Sequence, residues 1–260
     1  MRRPSSTPRR SRTVAALLEV ENLRKTFGGL AALDGVSFEV EHGELVGLIG
    51  PNGAGKTTLI HCISGVLRPT AGRVRLDGRL ISGLAPHAVC RAGVGRTFQV
   101  PRPFLSMTVE ENLRAVARRR DSEWVRACLQ AAGLATKAGV RAKSLTFQER
   151  RKLELARALA TAPRVLLLDE VAAGLNPAET REMVGTVRRI RERFHVGVVW
   201  VEHIMEAIME SADRVVVLDR GRVIAAGKPQ EIAIDPVVVE AYLGREYVFE
   251  NERSFERAGP

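Results

Sequence analysis

Three short apolar runs stand out in the pattern of hydrophobic and polar positions along the chain. They read LVGLI from Leu45 to Ile49, RVLLLDE from Arg164 to Glu170, and VGVVWVEH from Val196 to His203. Uninterrupted runs of this length are typical of strands buried on both faces of a parallel sheet. Ligands of open α/β sheets bind at the carboxyl ends of such strands, and polar residues follow the runs there. The pattern therefore predicts an α/β fold with a ligand site at one sheet edge.

Helical spacing follows capping signals elsewhere in the chain. TVEENLRAVARRR opens with Thr108 and has Glu111 three residues later, and SEWVRACLQAAGLATKA follows as a second predicted helix. LTFQERRKLELARAL, residues 145–159, opens in the same way with Thr146 and Glu149. A Thr N-cap with Glu at N3 is the pattern of a capping box. Taken alone, the last stretch predicts an ordinary amphipathic helix, and only the rest of the chain decides whether its start also contacts a nucleotide.

Composition limits the class of protein. A chain of 260 residues with 45% hydrophobic residues is long enough for one large domain or two small ones with a sizeable core. No run of 18 or more apolar residues occurs, so we expect no membrane span. Cys62, Cys90 and Cys128 are scattered and show neither metal-ligand spacing nor a disulfide framework, which fits a reducing, cytosolic setting.

The net charge of +10 is carried partly by the first stretch, MRRPSSTPRRSR. Residues 1–14 are predicted to be a disordered basic tail, because they are rich in Arg, Ser and Pro and have no apolar segment of a secretory signal. A start codon assigned too far upstream is the competing explanation. The other arginines are dispersed with few aromatic residues between them, which favours a solvated surface over nucleic-acid binding.

The most specific motif follows the first apolar run. It matches the phosphate-binding pattern GxxxxGK[ST] and consists of Gly50, Pro51, Asn52, Gly53, Ala54, Gly55, Lys56 and Thr57, followed by Thr58. Glycines let backbone N–H groups point at phosphate oxygens, and the helix that begins near Lys56 directs its positive end to the same place. A nucleotide with β- and γ-phosphates is therefore the expected ligand. Lys56 is expected to reach the β- and γ-phosphates, and Thr57 is expected to place its hydroxyl on Mg²⁺.

Two further strand ends carry candidate catalytic residues. Asp169 and Glu170 follow one run, and we expect Asp169 to hold Mg²⁺, through water, while Glu170 polarises the attacking water. Adjacent acids at a strand end, taken alone, favour a solvated turn, but in combination with the phosphate loop they favour the catalytic interpretation. His203 ends another run, where it would contact the γ-phosphate and sense its loss.

With these motifs in place, the chain resembles the ATP-binding subunit of an ABC transporter from about Leu17 to Gly244. The resemblance implies that Phe27 stacks on adenine and that Gln99 is the Q-loop glutamine, both a Mg²⁺ contact and a hinge. It also makes Asp169 the Walker B acid, Glu170 the catalytic base and His203 the switch histidine. GRTFQVPRPFLSMTVEENL and LLLDEVAAGLNP are similar to ATPases that drive uptake of branched-chain and other hydrophobic amino acids, or amides such as urea. Lipid-exporting ATPases share much of both strings and are the alternative.

The resemblance places the ABC signature, usually LSGGQ, at residues 145–149, which read LTFQE. In this family the signature closes in trans over ATP on the partner subunit, so Thr146, Gln148 and Glu149 are predicted to contact that nucleotide. Gln148 replaces a glycine and adds a Cβ that limits close approach, and Glu149 brings a negative charge towards an anion. Either the altered signature works, or the chain pairs with a different ATPase that supplies an intact one. Asn176 stands where the D-loop usually has Asp, and still caps a predicted helix.

Together these observations predict a P-loop NTPase core of the ABC ATPase type, with an N-terminal antiparallel β part and a helical subdomain. The ATPase domain is expected over residues 15–244 and the helical subdomain over about 101–160, of which roughly 101–143 is the inserted part. Residues 245–260 form an unassigned C-terminal tail.

The expected partners are a second ATPase subunit in a homo- or heterodimer, transmembrane permease subunits and, indirectly, a substrate-binding protein. Nucleic acid is not an expected partner. The expected location is peripheral, on the cytoplasmic face of the cell membrane. The loop after Gln99 carries apolar side chains that either line a groove for a permease helix or pack beneath the helices: Val100, Phe104, Leu105 and Met107. A regulatory ATP-binding subunit and a soluble ATPase acting on nucleic acid are hypotheses of other classes.

Overall fold

Two β-sheets organise the chain in this computed structural model, which describes residues 16–119 and 121–243. Both predicted tails lie outside the described residues. In chain order, the strands are β1 (Leu18–Phe27), β2 (Leu30–Val40), β3 (Leu45–Ile49), β4 (Ala71–Leu76), β5 (Arg79–Leu80), β6 (Val94–Arg96), β7 (Val165–Asp169), β8 (Gly197–Val201), β9 (Arg214–Asp219) and β10 (Arg222–Gly227). The helices are α1 (Lys56–Ile63), α2 (Pro86–Ala92), α3 (Val109–Val116), α4 (Ser122–Ala131), α5 (Phe147–Ala160), α6 (Pro177–Phe194), α7 (Met205–Ser211), α8 (Pro229–Ala233) and α9 (Pro236–Leu243).

The smaller sheet is the predicted N-terminal antiparallel part. Its strand order is β2-β1-β4-β5, and β1 pairs antiparallel with both β2 and β4. The larger sheet has the order β10-β9-β3-β8-β7-β6, and every pairing in it is parallel except the hairpin of β9 with β10. The predicted α/β fold is confirmed.

The three apolar runs are central strands of the larger sheet. Every residue of β3, β7 and β8 is buried, because one hydrophobic cluster packs on each face of the sheet. Burial on both faces is why these strands have no alternating polar positions. Their parallel register brings their carboxyl ends to one edge: Leu48 pairs with Val201, and Val201 pairs with Asp169. The phosphate loop, the acidic pair and the histidine therefore follow neighbouring strands.

The predicted capping boxes are present at the starts of α3, α5 and α6, with Thr108, Thr146 and Asn176 as N-caps. The second helix of the helical region is shorter than predicted. It ends at Ala131, and Gly133 follows with φ +70°, a left-handed conformation that stops a helix. A 3₁₀ turn occupies Ala135–Lys137 instead. The limits of the helical subdomain and of the ATPase domain stay predictions.

Candidate nucleotide site

One open cavity lies at the carboxyl edge of the larger sheet. Its walls are the phosphate loop and the start of α1, residues 52–58, together with Ala32, Glu170 and His203. Residues from four separate parts of the chain therefore face the same space. Since α1 begins at Lys56 and the loop precedes it, the backbone N–H groups at the start of the helix are directed towards this cavity.

The loop keeps its shape because two glycines occupy positions that no other residue fits. Gly50 has φ +148°, and a Cβ there would lie 2.0 Å from the carbonyl oxygen of Leu218. Gly55 has φ +104°, and its Cβ would lie 2.6 Å from the carbonyl oxygen of Ala32. The main chain at Gly50 thus lies close against β9, and the main chain at Gly55 lies close against β2. Both glycines are therefore required by the tertiary packing as well as by the local turn.

Lys56 lies almost entirely inside the loop. Its residue surface is 6% exposed, and Nζ donates to the carbonyl oxygens of Gly50 at 2.5 Å and Pro51 at 3.0 Å. Burial lowers the pKa of the ammonium group, while the nearby charge of Glu170 raises it. The ammonium group is thus held in the loop by backbone carbonyls, close to the carboxylate of Glu170.

Glu170 is held at both carboxylate oxygens by two other predicted site residues. Gln99 Nε2 donates to Oε2 at 2.7 Å, and His203 Nε2 lies 2.7 Å from Oε1. The backbone of Glu170 has φ +50°, and its N–H donates to the carbonyl of Val201 at 2.9 Å. A left-handed conformation is uncommon for a residue with a side chain, and here it follows directly after β7. The structure thus brings Gln99, Glu170 and His203 together at the cavity.

Asp169 is placed differently from its neighbour. It is 3% exposed and lies outside the cavity lining, where its Oδ2 accepts a hydrogen bond from Arg96 Nη2 at 3.0 Å. Arg96 Nη1 donates to Ser64 Oγ at 3.1 Å, so the guanidinium joins the end of α1 to the acidic pair. Burial lowers the pKa of Arg96, and the charge of Asp169 raises it. Sequence reasoning missed Arg96, although it stands in GRTFQ only three residues before Gln99.

Two other buried charged residues near the site were also missed. Glu202 is 1% exposed, and its Oε1 accepts hydrogen bonds from the backbone N–H of Ala172 at 2.7 Å and from Trp200 Nε1 at 3.2 Å. Burial raises the pKa of Glu202, although these hydrogen bonds oppose that effect. Arg151 on α5 is 5% exposed. In the sequence, Glu202 and Arg151 are distinguished only as charged residues at positions where the apolar pattern predicts burial.

Phe27 is at the end of β1, in the tip of the β1–β2 hairpin. Its surface is 46% exposed, and Lys25 Nζ lies 4.9 Å from the centroid of its ring. It does not belong to the lining of the cavity. The structure therefore presents an accessible aromatic ring and leaves its stacking on adenine as a prediction.

The altered signature forms a well-capped helix start. The backbone N–H of Glu149 donates to Thr146 Oγ1 at 3.3 Å, and the N–H of Thr146 donates to Glu149 Oε2 at 3.0 Å. Glu149 also forms an ion pair with Lys137. Burial is the largest influence on the pKa of Glu149 and raises it, but the hydrogen bonds from Lys137 and Thr146 together lower it below its ordinary value. The carboxylate is thus turned back onto its own helix, and its negative charge is compensated by Lys137.

Gln148, which stands in place of a glycine, makes a contact that a glycine could not make. Its Nε2 donates to Glu182 Oε2 on α6 at 2.5 Å, and Glu182 also pairs with Lys152. The side chain therefore joins the start of α5 to the helix that follows the D-loop.

Comparisons with known proteins agree with this geometry. Residues 33–173 match the family described as ABC transporter. BraF of Pseudomonas aeruginosa, described as a high-affinity branched-chain amino acid transport ATP-binding protein, is 40% identical over 249 residues, covering 88% of this chain and 98% of BraF. This chain belongs to the ATP-binding subunits of ABC transporters. LivG of Escherichia coli (strain K12), which has the same description, is 39% identical with the same coverage of 88% and 98%.

Further matches extend over the rest of this ABC ATPase. Residues 222–248 match a second family, described as branched-chain amino acid ATP-binding cassette transporter. LptB of Acidithiobacillus ferridurans, a lipopolysaccharide export system ATP-binding protein, is 36% identical, covering 90% of this chain and 99% of LptB. Among solved structures, the ADP conformation of the ATP-binding cassette MJ1267 superposes with a TM-score of 0.81 at 30% identity, covering 89% of this chain and 100% of that chain.

The activity of this ABC ATPase follows from its family. It binds nucleotide, and it hydrolyses ATP as a subunit of a transporter. Among residues 16–119 and 121–243, no helix combines the length and the apolar character that a membrane span requires.

Proposed function

We propose that this ABC ATPase drives the import of branched-chain or other hydrophobic amino acids, or of amides, and that Glu170 is the catalytic base of its ATP hydrolysis. The observation that carries the catalytic assignment is the position of the Glu170 carboxylate. It lies at the wall of the phosphate-loop cavity and is fixed between Gln99 and His203 at 2.7 Å each. A carboxylate fixed at both oxygens has little freedom to rotate, as a group that orients a water molecule requires.

The chemistry at each site is mainly positioning and charge neutralisation. In the proposed mechanism, the phosphates of ATP take over the donors of the loop, and Lys56 Nζ moves from the carbonyls of Gly50 and Pro51 to the β- and γ-phosphates. Each oxygen of Glu170 keeps a second lone pair beside its present partner, and one of these lone pairs orients the attacking water. His203 lies beside Glu170 here and would turn towards the γ-phosphate of a bound nucleotide, so loss of that phosphate would return it to Glu170.

The donor set fits Mg²⁺ only in combination with a nucleotide. The proposed ligands are Thr57, Gln99 and Asp169, which offer oxygen atoms, the donors that Mg²⁺ prefers. Within the described residues, no group of three or more His, Cys, Asp or Glu side chains could hold a metal by itself. Mg²⁺ commonly binds through one or two protein carboxylates and substrate phosphates, and when bound it neutralises phosphate charge. The pairing of Asp169 with Arg96 favours a contact through water over direct coordination.

We also propose that two ATPase subunits enclose the nucleotides, with Thr146, Gln148 and Glu149 facing the ATP of the partner subunit. The intact capping box keeps the N-terminal N–H groups of α5 in place for that contact. The ion pair of Glu149 with Lys137 removes the charge conflict that the sequence suggested. The remaining departures are Phe147 and Gln148, which stand in place of the two glycines and whose Cβ atoms limit close approach of the backbone.

The transported class rests on the relatives. BraF and LivG are named for branched-chain amino acid transport, and the match of residues 222–248 adds a second family with that description. The match to LptB, at 36% identity, keeps lipid export as the second candidate.

Exposed apolar side chains support a permease partner. In the loop after Gln99, the exposed fractions are 64% for Val100, 45% for Phe104, 48% for Leu105 and 38% for Met107. These values favour the groove over the packed loop, because none of the four side chains is buried beneath the helices. We propose that this loop receives a helix of a transmembrane permease, which would hold the ATPase at the cytoplasmic face of the membrane as a peripheral subunit and link it indirectly to a substrate-binding protein.

The first experiment is size-exclusion chromatography of Glu170→Gln with ATP and Mg²⁺, alongside its rate of ATP hydrolysis. The expected result is loss of hydrolysis and a stable ATP-bound dimer, since the trapped nucleotide keeps the two subunits closed. Glu123→Gln, at an exposed position in the first turn of α4, is the matched control and should behave as the unmodified chain. Hydrolysis by Glu170→Gln at the unmodified rate would show that this residue is not the base.

The same experiment distinguishes the two interpretations of the altered signature, namely that it works by itself or that a partner ATPase supplies an intact one. A dimer formed by Glu170→Gln alone shows that the altered signature engages ATP and supports a homodimer. A dimer formed only with a second ATPase that has an intact signature supports a heterodimer.

The transported substrate is tested in cells. Uptake of labelled leucine should fall in cells that lack the chain and return with the unmodified chain but not with Glu170→Gln. Unchanged uptake would contradict the amino-acid assignment.

A further inference from the structure

Arg151 is a buried guanidinium that contacts three segments around the nucleotide site. It lies in the second turn of α5 and is 5% exposed. Its Nη1 donates to the backbone carbonyl of Gln99, and its Nη2 donates to the backbone carbonyl of Ala173 at 3.2 Å. Its guanidinium carbon lies 5.1 Å from the ring centroid of Phe147, in the signature. One side chain thus joins α5, the helix that begins in the signature, to the Q-loop at Gln99 and to the D-loop, residues 173–177, at Ala173.

Both carbonyls belong to segments that hold the proposed base. Gln99 binds the carboxylate of Glu170 through its own side chain, and the N–H of Ala173 donates to the carbonyl of Glu170 at 3.2 Å. The planar guanidinium presents its two terminal nitrogens in a fixed fork, so the separation and angle of the two loop carbonyls are fixed together. A shift of α5 would therefore move both supports of Glu170 at once.

The free-energy cost of burying the Arg151 guanidinium indicates that its hydrogen bonds to the two loops have a role beyond packing. Burial lowers the pKa of Arg151, although the charges of Glu202, Glu170 and Glu154 raise it. Its Nε has no hydrogen-bond partner within the described residues, so the group is not fully satisfied. An apolar side chain of similar volume commonly packs at equal or lower cost than a buried charge. Packing alone is therefore a poor explanation for an arginine here.

We propose that Arg151 is a positioning residue that couples the signature helix to the catalytic base: it holds the Q-loop and the D-loop in the arrangement that aligns Glu170. This inference rests on the proposed role of Glu170. When the signature closes on the partner subunit's ATP, α5 moves. Through Arg151, this movement shifts the two loops that hold Glu170 in the same subunit as the signature. The altered signature would then be supported by an internal linkage that does not depend on its missing glycines.

Arg157 provides a matched control on the same helix. Its Nε also lacks a partner within the described residues, its guanidinium carbon lies 5.0 Å from the ring centroid of Phe104, and its Nη1 donates to the carbonyl of Arg102 at 2.9 Å. It also pairs with Glu154 at 2.9 Å. Arg157 thus resembles Arg151 in chemistry and in its unpaired Nε, although its side chain is 14% exposed and so less deeply buried. Within the described part of the chain, Arg157 bonds neither Gln99 nor Ala173.

The experiment compares Arg151→Met, Arg151→Lys and Arg157→Met in the full chain, each with kcat and KM for ATP hydrolysis and with affinity for a fluorescent ATP analogue. Arg151→Met should lower kcat by about 100-fold, because a misplacement of about 1 Å at a catalytic group has this effect. Its KM and nucleotide affinity should change little, since the phosphate loop is untouched. Arg151→Lys should not restore kcat because lysine lacks the fork, and Arg157→Met should keep kcat within about threefold. Equal losses in Arg151→Met and Arg157→Met, or full activity of Arg151→Lys, would overturn the proposal.

A second readout does not depend on hydrolysis. Backbone hydrogen exchange should become faster in residues 97–101 and 171–175 together in Arg151→Met and Arg151→Lys, and in neither segment in Arg157→Met. Exchange that is unchanged, or faster in only one segment, would refute the coupling even if activity falls. If Glu170→Gln hydrolyses ATP at the unmodified rate, the proposed function fails instead, and the exchange result still decides whether Arg151 joins the two loops.

Discussion

Removal of the Arg96 side chain should leave the Asp169 carboxylate buried without its counter-charge. The two side chains are only 9% and 5% exposed, and Nη2 lies 3.0 Å from Oδ2. Arg96→Met preserves most of the aliphatic length of the side chain and deletes the charge. It also deletes the hydrogen bond to Ser64 Oγ. The substitution therefore tests the ion pair with little change in packing volume.

The expected cost follows from the burial. Removal of one partner of a buried ion pair costs about 3–5 kcal/mol, because the remaining charge is desolvated and unpaired. The lost hydrogen bond to Ser64 adds about 1 kcal/mol. A total of about 5 kcal/mol is a large share of the 5–15 kcal/mol that is typical for a folded protein. The pair at Arg114 and Glu110, with exposed fractions of 42% and 40%, should by contrast lose about 0.5 kcal/mol or less in Arg114→Met.

The assay is urea unfolding of the unmodified chain, Arg96→Met, Asp169→Asn and the double variant, with Arg114→Met as the control. Once Asp169 carries no charge, Arg96→Met leaves no buried anion, so its cost should fall to about 1 kcal/mol for the lost hydrogen bonds. The coupling energy of the cycle should then be about 4 kcal/mol, above the range of about 0.5–3 kcal/mol for ordinary contacting residues, because the ion pair is buried. Additivity of the two substitutions to within about 0.5 kcal/mol would refute the inference that the pair is held together by charge in a buried environment.

Three further predictions concern the loop, the signature and the helical region. Gly55→Ala should abolish binding of a fluorescent ATP analogue, because the new Cβ would lie 2.6 Å from the carbonyl oxygen of Ala32 at φ +104°; unchanged affinity would contradict this packing. Glu149→Gln should lower the free energy of unfolding at pH 7. The difference from the unmodified chain should shrink as pH falls below 4.5, the ordinary pKa of the group, because a carboxylate with a lowered pKa in the folded state stabilises the protein only while it is ionised. Urea unfolding at several pH values measures this, and a difference that grows towards acid pH would contradict it. Asn112→Ala should cost about 2–3 kcal/mol, because this fully buried amide bonds both the N–H and the carbonyl of Phe104; a loss below about 0.5 kcal/mol in thermal or urea unfolding would show that the loop is not held by it.

Part of the fold was predictable because its determinants are local. The runs that became β3, β7 and β8 needed only their uninterrupted apolar character, and the capping boxes at Thr108, Thr146 and Asn176 needed only residues three positions apart. The helix predicted from Ser122 is longer than the one observed, because Gly133 adopts a left-handed conformation that ends the element early.

The site was only partly predictable. Glu170 and His203 were predicted from their places at strand ends, whereas Gln99 was identified only through resemblance to a family. The contacts among the three span 71 and 33 positions, and no local pattern records such a contact. Arg96, Arg151 and Glu202 were missed. Each stands among residues whose spacing indicates burial. The role of a charged residue at such a position becomes clear only when its partners in the folded structure are known.

The sequence by itself determined the strands, the helix starts and the phosphate loop of this ABC ATPase, because apolar periodicity, capping and glycine-rich turns act over a few residues. Only the tertiary structure decided where the charges go. It placed Asp169 against Arg96, turned Glu149 back onto Thr146 and Lys137, and set Arg151 between two loop carbonyls. The reason is physical: a buried charge is stable only when partners from distant segments meet it, and those partners are brought together only when the whole chain folds.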